Sequence, residues 1–257
     1  MAVLVDLNHR SGFTYGGTVP SQAALHVNTL IDAAITAERQ RTPPRDYLGA
    51  SRIGEPCSRR LVYEFTGTPP DEGKDFDGHS LRIFEAGHVF ETLSIRWLRS
   101  AGFNLRTTKK DGGQFGFSVA GGKFRGHIDG VIVDGPGIGI SWPALWEHKA
   151  LNARSWNDLM KRGLKDSKPI YYAQVQIYMA YLEVPFTLFT ALNKDTQELC
   201  HEIVPFDATC AQSLSDKAVA VIRAAEAQEL LPRIAAAPDF YLCTFCPFIQ
   251  RCWERAA

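Results

Sequence analysis

The chain has 257 residues, 45% of them apolar and 11% aromatic, which is enough to bury a sizeable core and excludes a disordered polypeptide. Its 28 basic residues balance 28 acidic ones, so no global charge announces a polyanionic partner and any nucleic-acid surface has to be local. No run reaches the roughly 18 to 20 consecutive apolar residues of a membrane span, and the N-terminal segment lacks the basic start and apolar centre of a signal peptide, so a cytoplasmic protein without a membrane partner is expected.

In chain order, residues 1–19 carry Gly12, Gly16 and Gly17 without a sustained period and read as an irregular lead-in. Residues 21–40 set Leu25, Leu30, Ile31, Ala34 and Ile35 at helical spacing before Pro43-Pro44, predicting a surface helix. Cys57 opens a second helical stretch that ends at Gly67, a residue suited to a C-terminal cap. Over residues 80–101 a 3.6-residue period puts Leu81, Phe84, His88, Glu91, Ile95 and Leu98 on one face of a helix closed by Gly102. Glu91 thus falls within an apolar stripe, where a lone carboxylate is costly to bury.

Three strand-like segments follow at 103–109, 114–119 and 123–133, separated by Asp111-Gly112-Gly113 and Gly121-Gly122, and predict a meander. Alternation in the third places His127, Asp129, Val131 and Val133 on one face and Ile128 and Ile132 on the other. A fourth strand over 145–150 puts Leu145, Glu147 and Lys149 on one face. Helices are predicted at 155–164 and, led by Pro169, at 170–182, where Gln174 and Tyr178 share a face. A hairpin at 186–193 and 198–206 and an aspartate-capped helix over 207–231 complete the core. With no repeat or linker, a single domain is expected: an extension and helix at 1–50, a core at 51–231, and a cysteine-bearing tail at 232–257.

The residue types in Gly126-His127-Ile128-Asp129-Gly130 and Trp146-Glu147-His148-Lys149 suit phosphodiester hydrolysis. That reaction needs charge neutralised on the phosphate and hydroxide generated near neutral pH, which Mg²⁺ or Mn²⁺ supplies when carboxylates hold it with positions left open. Asp129 and Glu147 are the expected ligands if their strands are neighbours, with Glu91 and the His148 carbonyl as additional donors. Lys149, on the face of Glu147, is placed to orient water or offset developing charge. Gln174 and Tyr178 are placed to hydrogen-bond the lysine, a water or a phosphate. Arg59-Arg60 and the basic stretch Arg154, Lys161, Arg162, Lys165 and Lys168 are candidates for phosphate contacts.

Six cysteines in a reducing compartment favour metal binding over disulfides. Cys243-x₂-Cys246-x₅-Cys252 sets three thiols within ten residues, and Cys57 is the candidate fourth ligand. Structural Zn²⁺ is one possibility, but zinc ribbons pair two short hooks, whereas a triplet joined by a distant cysteine favours a [4Fe-4S] cluster acting as a clasp. Phe240, Tyr241, Phe245, Phe248 and Trp253 would shield it. Cys200 and Cys210 read as ordinary small hydrophobes.

As an ordered set from residue 51 to 253, Glu91, Gly126-His-Ile-Asp129-Gly, Glu147-His-Lys149 and Gln174-x₃-Tyr178 resemble the PD-(D/E)XK nuclease superfamily, in particular its RecB-like exonuclease branch. The cysteine pattern is similar to that of the branch's iron–sulfur members, the CRISPR-associated exonucleases and the nuclease domain of AddB-type helicase-nucleases. The resemblance implies an α/β, restriction-endonuclease-like mixed central sheet flanked by helices, with N- and C-terminal segments joined by the cluster. It implies a metal-dependent DNA exonuclease in which Asp129 and Glu147 bind Mg²⁺ or Mn²⁺, Lys149 is the catalytic lysine, Gln174 and Tyr178 complete the site, and Cys57, Cys243, Cys246 and Cys252 hold [4Fe-4S]. The implied partners are DNA with single-stranded character and a protein of a recombination or CRISPR-type complex. The branch often has histidine in a Gly-x₃-His pattern where this chain has Gly87-x₃-Glu91. A catalytically silent DNA-binding or assembly module on the same fold is the competing reading.

Overall fold

The computed structural model describes residues 22–43 and 45–254. The expected lead-in at 1–19, Ser21 at the start of the first helix, Pro44, and residues 255–257 of the tail lie outside the described residues. The chain divides into two compact units, one of residues up to Thr42 with Phe76–Arg82, the other of Pro43–Asp75 with Ile83 onward.

In the first unit, helix α1 (Gln22–Arg41) forms where the periodicity predicts, and none of its residues is buried. Its Asp32 pairs with Arg82. Asp32 also lies so close to Gly78 that a Cβ there would stand 2.5 Å from Asp32 Cβ and 2.6 Å from its Cα.

The second unit holds the remaining elements. They are β1 (Leu48–Gly49), α2 (Ser58–Phe65), the body of α3 (Gly78–Ser100), β2 (Leu105–Arg106), β3 (Gly116–Val119), β4 (Phe124–His127), β5 (Gly130–Ile132), β6 (Ala144–Leu151), α4 (Ala153–Ser167), α5 (Pro169–Leu182), β7 (Phe186–Asn193), β8 (Leu199–Pro205), α6 (Ala208–Glu226), α7 (Tyr241–Thr244) and α8 (Ile249–Glu254). The strands form two mixed sheets, a three-stranded one in the order β1-β4-β3 and a five-stranded one in the order β2-β5-β6-β7-β8. In the first, β1 and β4 run parallel and β3 antiparallel; in the second, only β6 and β7 run parallel.

Two sheets replace the single central sheet and simple meander expected from the sequence. The segment expected as one strand over 123–133 is broken at Ile128 and Asp129, so β4 belongs to one sheet and β5 to the other. The flanking glycines explain the break. A Cβ on Gly126 would stand 2.5 Å from Tyr178 Cε1 and 2.6 Å from Phe117 Cε1, and one on Gly130 would stand 2.6 Å from Leu105 Cδ1. Each half-strand is therefore pressed against a different element, and the chain crosses between sheets at Asp129.

Strand β6 separates two apolar clusters. Leu145 and Leu151 join the larger one with Val175, Ile177, Phe189 and Val221, whereas Trp146 joins Leu98, Leu105, Ile132 and Leu188 on the opposite side. The alternation predicted for Leu145, Glu147 and Lys149 is therefore the alternation that divides the layers. Helix α5 is apolar all round and buried without interruption from Ala173 to Met179, as a core helix should be. Gly54 lets the chain before α2 lie on it, since a Cβ there would be 2.6 Å from Ile170 Cα.

Three further expectations are adjusted. On α3 the buried side chains are Leu81, Ser94 and Leu98, while Phe84 and His88 of the predicted stripe are exposed, because only the C-terminal half of the helix meets the Trp146 cluster. Helix α6 starts as predicted, with the Asp207 side chain accepting from Cys210 N at 3.0 Å, but it ends before 231, where Gln228 turns into the left-handed region at φ 56°. Helix α4 runs on to Ser167 across a break at Gly163, φ 71°. Among the described residues no helix is long and apolar enough to cross a membrane.

Candidate active site and cysteine pocket

The register of β5 and β6 pairs Val131 with Leu145 and Gly130 with Trp146, so continuing the ladder by one residue sets Asp129 against Glu147. The ladder stops there, and the Asp129 carboxylate itself accepts the His148 backbone N–H at 2.8 Å through Oδ2. The two acidic residues noted in the sequence thus face each other where the chain leaves one sheet for the other.

Glu147 is 1% exposed. Its Oε1 accepts from Lys149 Nζ and, at 2.6 Å, from Gln174 Nε2, while Oε2 is buried without a hydrogen-bond partner among the described residues. Burial, reinforced by the Asp129 charge, pushes the Glu147 carboxyl up to about 8. Burial works against the Lys149 charge, but Glu147 and Asp129 outweigh it and hold the ammonium well above the usual lysine range. The same ammonium lies 5.3 Å from the centre of the Tyr171 ring.

Helix α5 supplies the next layer of contacts. Gln174 Nε2 also donates to Tyr178 Oη at 3.1 Å, and burial, followed by the Glu147 charge, holds the Tyr178 phenol well above its ordinary range. Gln174 and Tyr178 are 5% and 3% exposed, so both are fixed by the core. The spacing of four residues noted in the sequence places them on the helix face that meets Glu147.

Glu91 comes from α3. Burial and then Asp129 raise its carboxyl, and Lys149 is close enough to lower it in turn. His88 Nδ1 stands 3.8 Å from Glu91 Oε2 on the exposed side. One turn on, buried Ser94 Oγ meets His148 Nε2 at 3.0 Å, which ties α3 to β6. The His148 imidazole is thus a strut between layers, and burial lowers its pKa to about 4. Among the described residues no three His, Cys, Asp or Glu side chains are set close enough together to hold a metal ion as they stand.

Cys57, Cys243, Cys246 and Cys252 line one pocket together with Tyr63, Leu242, Ile249, Trp253, Arg59, Arg60 and Arg233. Cys57 sits at the N-cap of α2, and the other three belong to the short tail helices and their connection. The tail is also held without the thiols. Buried Asp71 accepts from Gln250 N at 2.7 Å and Arg251 N at 3.3 Å, while its own N–H donates to the Pro247 carbonyl at 2.7 Å. The ring of Phe248 packs on Tyr63 at 5.1 Å, and Arg233 donates to the Cys252 carbonyl at 2.7 Å. Of the five aromatics expected as a shield, Phe248 is buried and Trp253 lines the pocket. Phe240, Tyr241 and Phe245 are 36%, 63% and 83% exposed and stand outside the pocket lining, so they do not serve that purpose.

Most of the cations singled out in the sequence have other occupations. Arg60 pairs with Glu55 and Glu64, and Arg59 donates to the Leu231 carbonyl and to Cys252 Sγ. Arg162 and Lys168 pair with Asp158, and Lys165 with Asp207. Only Arg154 and Lys161 of that set carry no partner among the described residues. Sequence reasoning missed Ser94 and Asp71, which lie in no motif; an isolated serine amid an apolar helix stripe was the one available signal for the first.

No protein-family model matches the sequence, and no curated protein matches it. Among solved structures the chain is similar to an alkaline exonuclease, LHK-Exo, from Laribacter hongkongensis, at 18% identity and a TM-score of 0.51 over 72% of this chain and 90% of that one. The complex of LHK-Exo with dAMP gives 18% identity and a TM-score of 0.51 over 78% and 93%. The crystal structure of SSO0001 gives 14% identity and a TM-score of 0.49 over 90% and 98%. The fold is thus that of an exonuclease-like mixed α/β protein.

Proposed function

We propose that the chain is a metal-dependent DNA exonuclease of the PD-(D/E)XK type. The observation that carries this reading is the convergence at one sheet crossing of Asp129, Glu147 and Lys149 with Gln174 from α5, leaving one Glu147 oxygen buried and unpartnered. A buried carboxylate oxygen with no donor is costly unless a cation takes it, so the donor set fits a hard divalent ion. Asp129, Glu147 and the His148 carbonyl would hold Mg²⁺ or Mn²⁺, with Glu91 as the outlying donor. When bound, the ion neutralises phosphate charge and makes a water acidic enough to attack. Lys149, kept charged by its neighbours, offsets charge on the phosphate, and Gln174 fixes the Glu147 carboxylate with Tyr178 behind it. The fold likeness to an alkaline exonuclease, one structure of which contains dAMP, supports DNA as the substrate.

Cys57, Cys243, Cys246 and Cys252 are proposed to hold a structural [4Fe-4S] cluster. Four soft donors line one largely apolar pocket beside the Arg59 and Arg233 guanidiniums, which would balance a negative cluster, and the thiols would draw together to bind it. Structural Zn²⁺ is the rival occupant.

The deciding assay incubates end-labelled DNA with the purified protein and Mn²⁺, beside Lys149→Ala. Shortening of the label by the wild type and its loss in the variant are expected. A folded wild type that digests no DNA with any divalent metal would overturn the reading in favour of a catalytically silent DNA-binding or assembly module.

A further inference from the structure

Five of the seven cations read from the sequence as phosphate contacts are turned toward carboxylates or the cysteine pocket, which leaves Arg154 and Lys161 and gives a nuclease site of this kind reason to draw its substrate to a further surface. The outer face of the three-stranded sheet supplies one. Arg125 on β4 lies with its guanidinium 4.9 Å from the centre of the Tyr47 ring, and Arg45 lies 5.9 Å from the same centre. Neither arginine has a carboxylate partner among the described residues. Arg125 Nε donates to the Gly122 carbonyl at 2.6 Å, which fixes the guanidinium while leaving its other donors uncommitted.

The register keeps this face open. Arg125 stands between Gly49 on β1 and Ser118 on β3, and His127, exposed two residues further along β4, stands beside Gly116 on β3, so one neighbour at each position carries no side chain and the other neighbour of Arg125 is only a serine. The Arg45 guanidinium occupies the space so released, with Nη1 3.3 Å from where a Gly49 Cβ would be. The surface lies near the proposed site. Arg125 and Asp129 are four residues apart, at most about 13 Å along extended chain. Arg45 is also close enough to Tyr178 for its charge to be felt there.

We infer that Arg45 and Arg125, which rest on Tyr47, together with His127 two residues further along β4, form the surface that receives the phosphate backbone of a DNA strand bound for Asp129. The inference rests on the nuclease reading of that site and names where its substrate enters. The occupant follows from charge complementarity: two unpaired guanidiniums, one braced by a carbonyl and both resting on a ring, present fork donors suited to phosphate oxygens. Such contacts carry no base preference and make binding salt-dependent.

The test measures polarisation of a labelled single-stranded oligonucleotide in EDTA, over a salt series, with the full-length protein. Arg45→Gln/Arg125→Gln is expected to weaken binding about tenfold or more, and to lower the salt slope by about 1.4, from two phosphate contacts at roughly 0.7 each. Arg45→Gln alone makes half that change, and because Arg45 is exposed and makes no hydrogen bond among the described residues its removal leaves the melting temperature unaltered. Arg162→Gln, whose guanidinium is held by Asp158, binds as the wild type does. Equal affinity and slope for wild type and double variant overturn the inference while leaving the nuclease reading intact; a wild type that binds no DNA overturns both.

Discussion

The Asp129 carboxylate accepts the backbone N–H of His148 at 2.8 Å, so one side chain both ends the ladder between β5 and β6 and stands across from Glu147. Its structural and chemical roles are separable. Asp129→Asn keeps an oxygen for the amide and loses the charge, so the protein is expected to melt within a degree or two of wild type and to lose about a hundredfold or more in kcat. Asp129→Ala leaves the amide unpaired and in addition costs about 1 to 3 kcal/mol. Thermal melts beside a DNA-digestion assay distinguish them, and equal destabilisation by both variants would count against the assignment.

Gln174 donates to Glu147 at 2.6 Å and to Tyr178 at 3.1 Å, and in the proposed site it acts as a positioning residue. Gln174→Leu is expected to lower kcat about 10- to 100-fold and to raise the Mn²⁺ concentration needed for half-maximal activity, as loss of a ligand-orienting contact does. A metal titration of activity reads both effects. An unchanged metal requirement would mean that the glutamine only packs.

Gly126 has no space for a methyl group between Tyr178 and Phe117. Gly126→Ala should cost about 1 to 3 kcal/mol through overpacking, lowering the melting temperature by several degrees. A smaller side chain at the ring, Tyr178→Ala in the Gly126→Ala background, is expected to recover part of the packing strain, which a double-mutant cycle measures.

The tail is fastened by Asp71 as well as by the proposed cluster. Protein purified without oxygen is expected to be brown and to contain iron, and colourless protein with zinc alone would overturn the cluster. Cys246→Ala should lose the metal and lower the melting temperature. Asp71→Ala, which strips acceptors from two helix-terminal amides, should leave the four thiols in place but speed tryptic cleavage at Arg233 and Arg251 and reduce metal content.

Acid sensitivity follows from Asp158. Arg162 first, then Ser167 and Lys168, hold its carboxyl well below the usual aspartate range. Its folded pKa is depressed, so its contribution is complete above the unfolded value of about 3.9 and is lost as pH falls below it. The size is modest, since the carboxylate is more than a third exposed and salt screens it. Asp158→Asn should melt lower than wild type at pH 7, and the gap should narrow as pH falls below about 4 and close only as pH falls through the depressed folded value, measured as melting temperature against pH.

What the sequence by itself determined are the features written in local period and spacing. Alternation put Glu147 and Lys149 on one face of β6, a four-residue step put Gln174 and Tyr178 on one face of α5, and cap residues fixed the starts of α5 and α6, because neighbouring residues on one element have fixed relative directions. The tertiary structure decided where the chain breaks and what each charge meets. The split of 123–133 between two sheets depends on Tyr178, Phe117 and Leu105 packing against glycines from distant parts of the chain, and the Asp129 bond to His148 depends on that split. Among the cations at 59–60 and 162–168, Arg60 meets Glu64 and Arg162 meets Asp158 one helical turn away, pairs that residue spacing already offers. The tie of Lys165 to Asp207 across 42 positions, and the placing of Arg45 and Arg125 on Tyr47, needed the fold, because charge pairing is a property of distance through space.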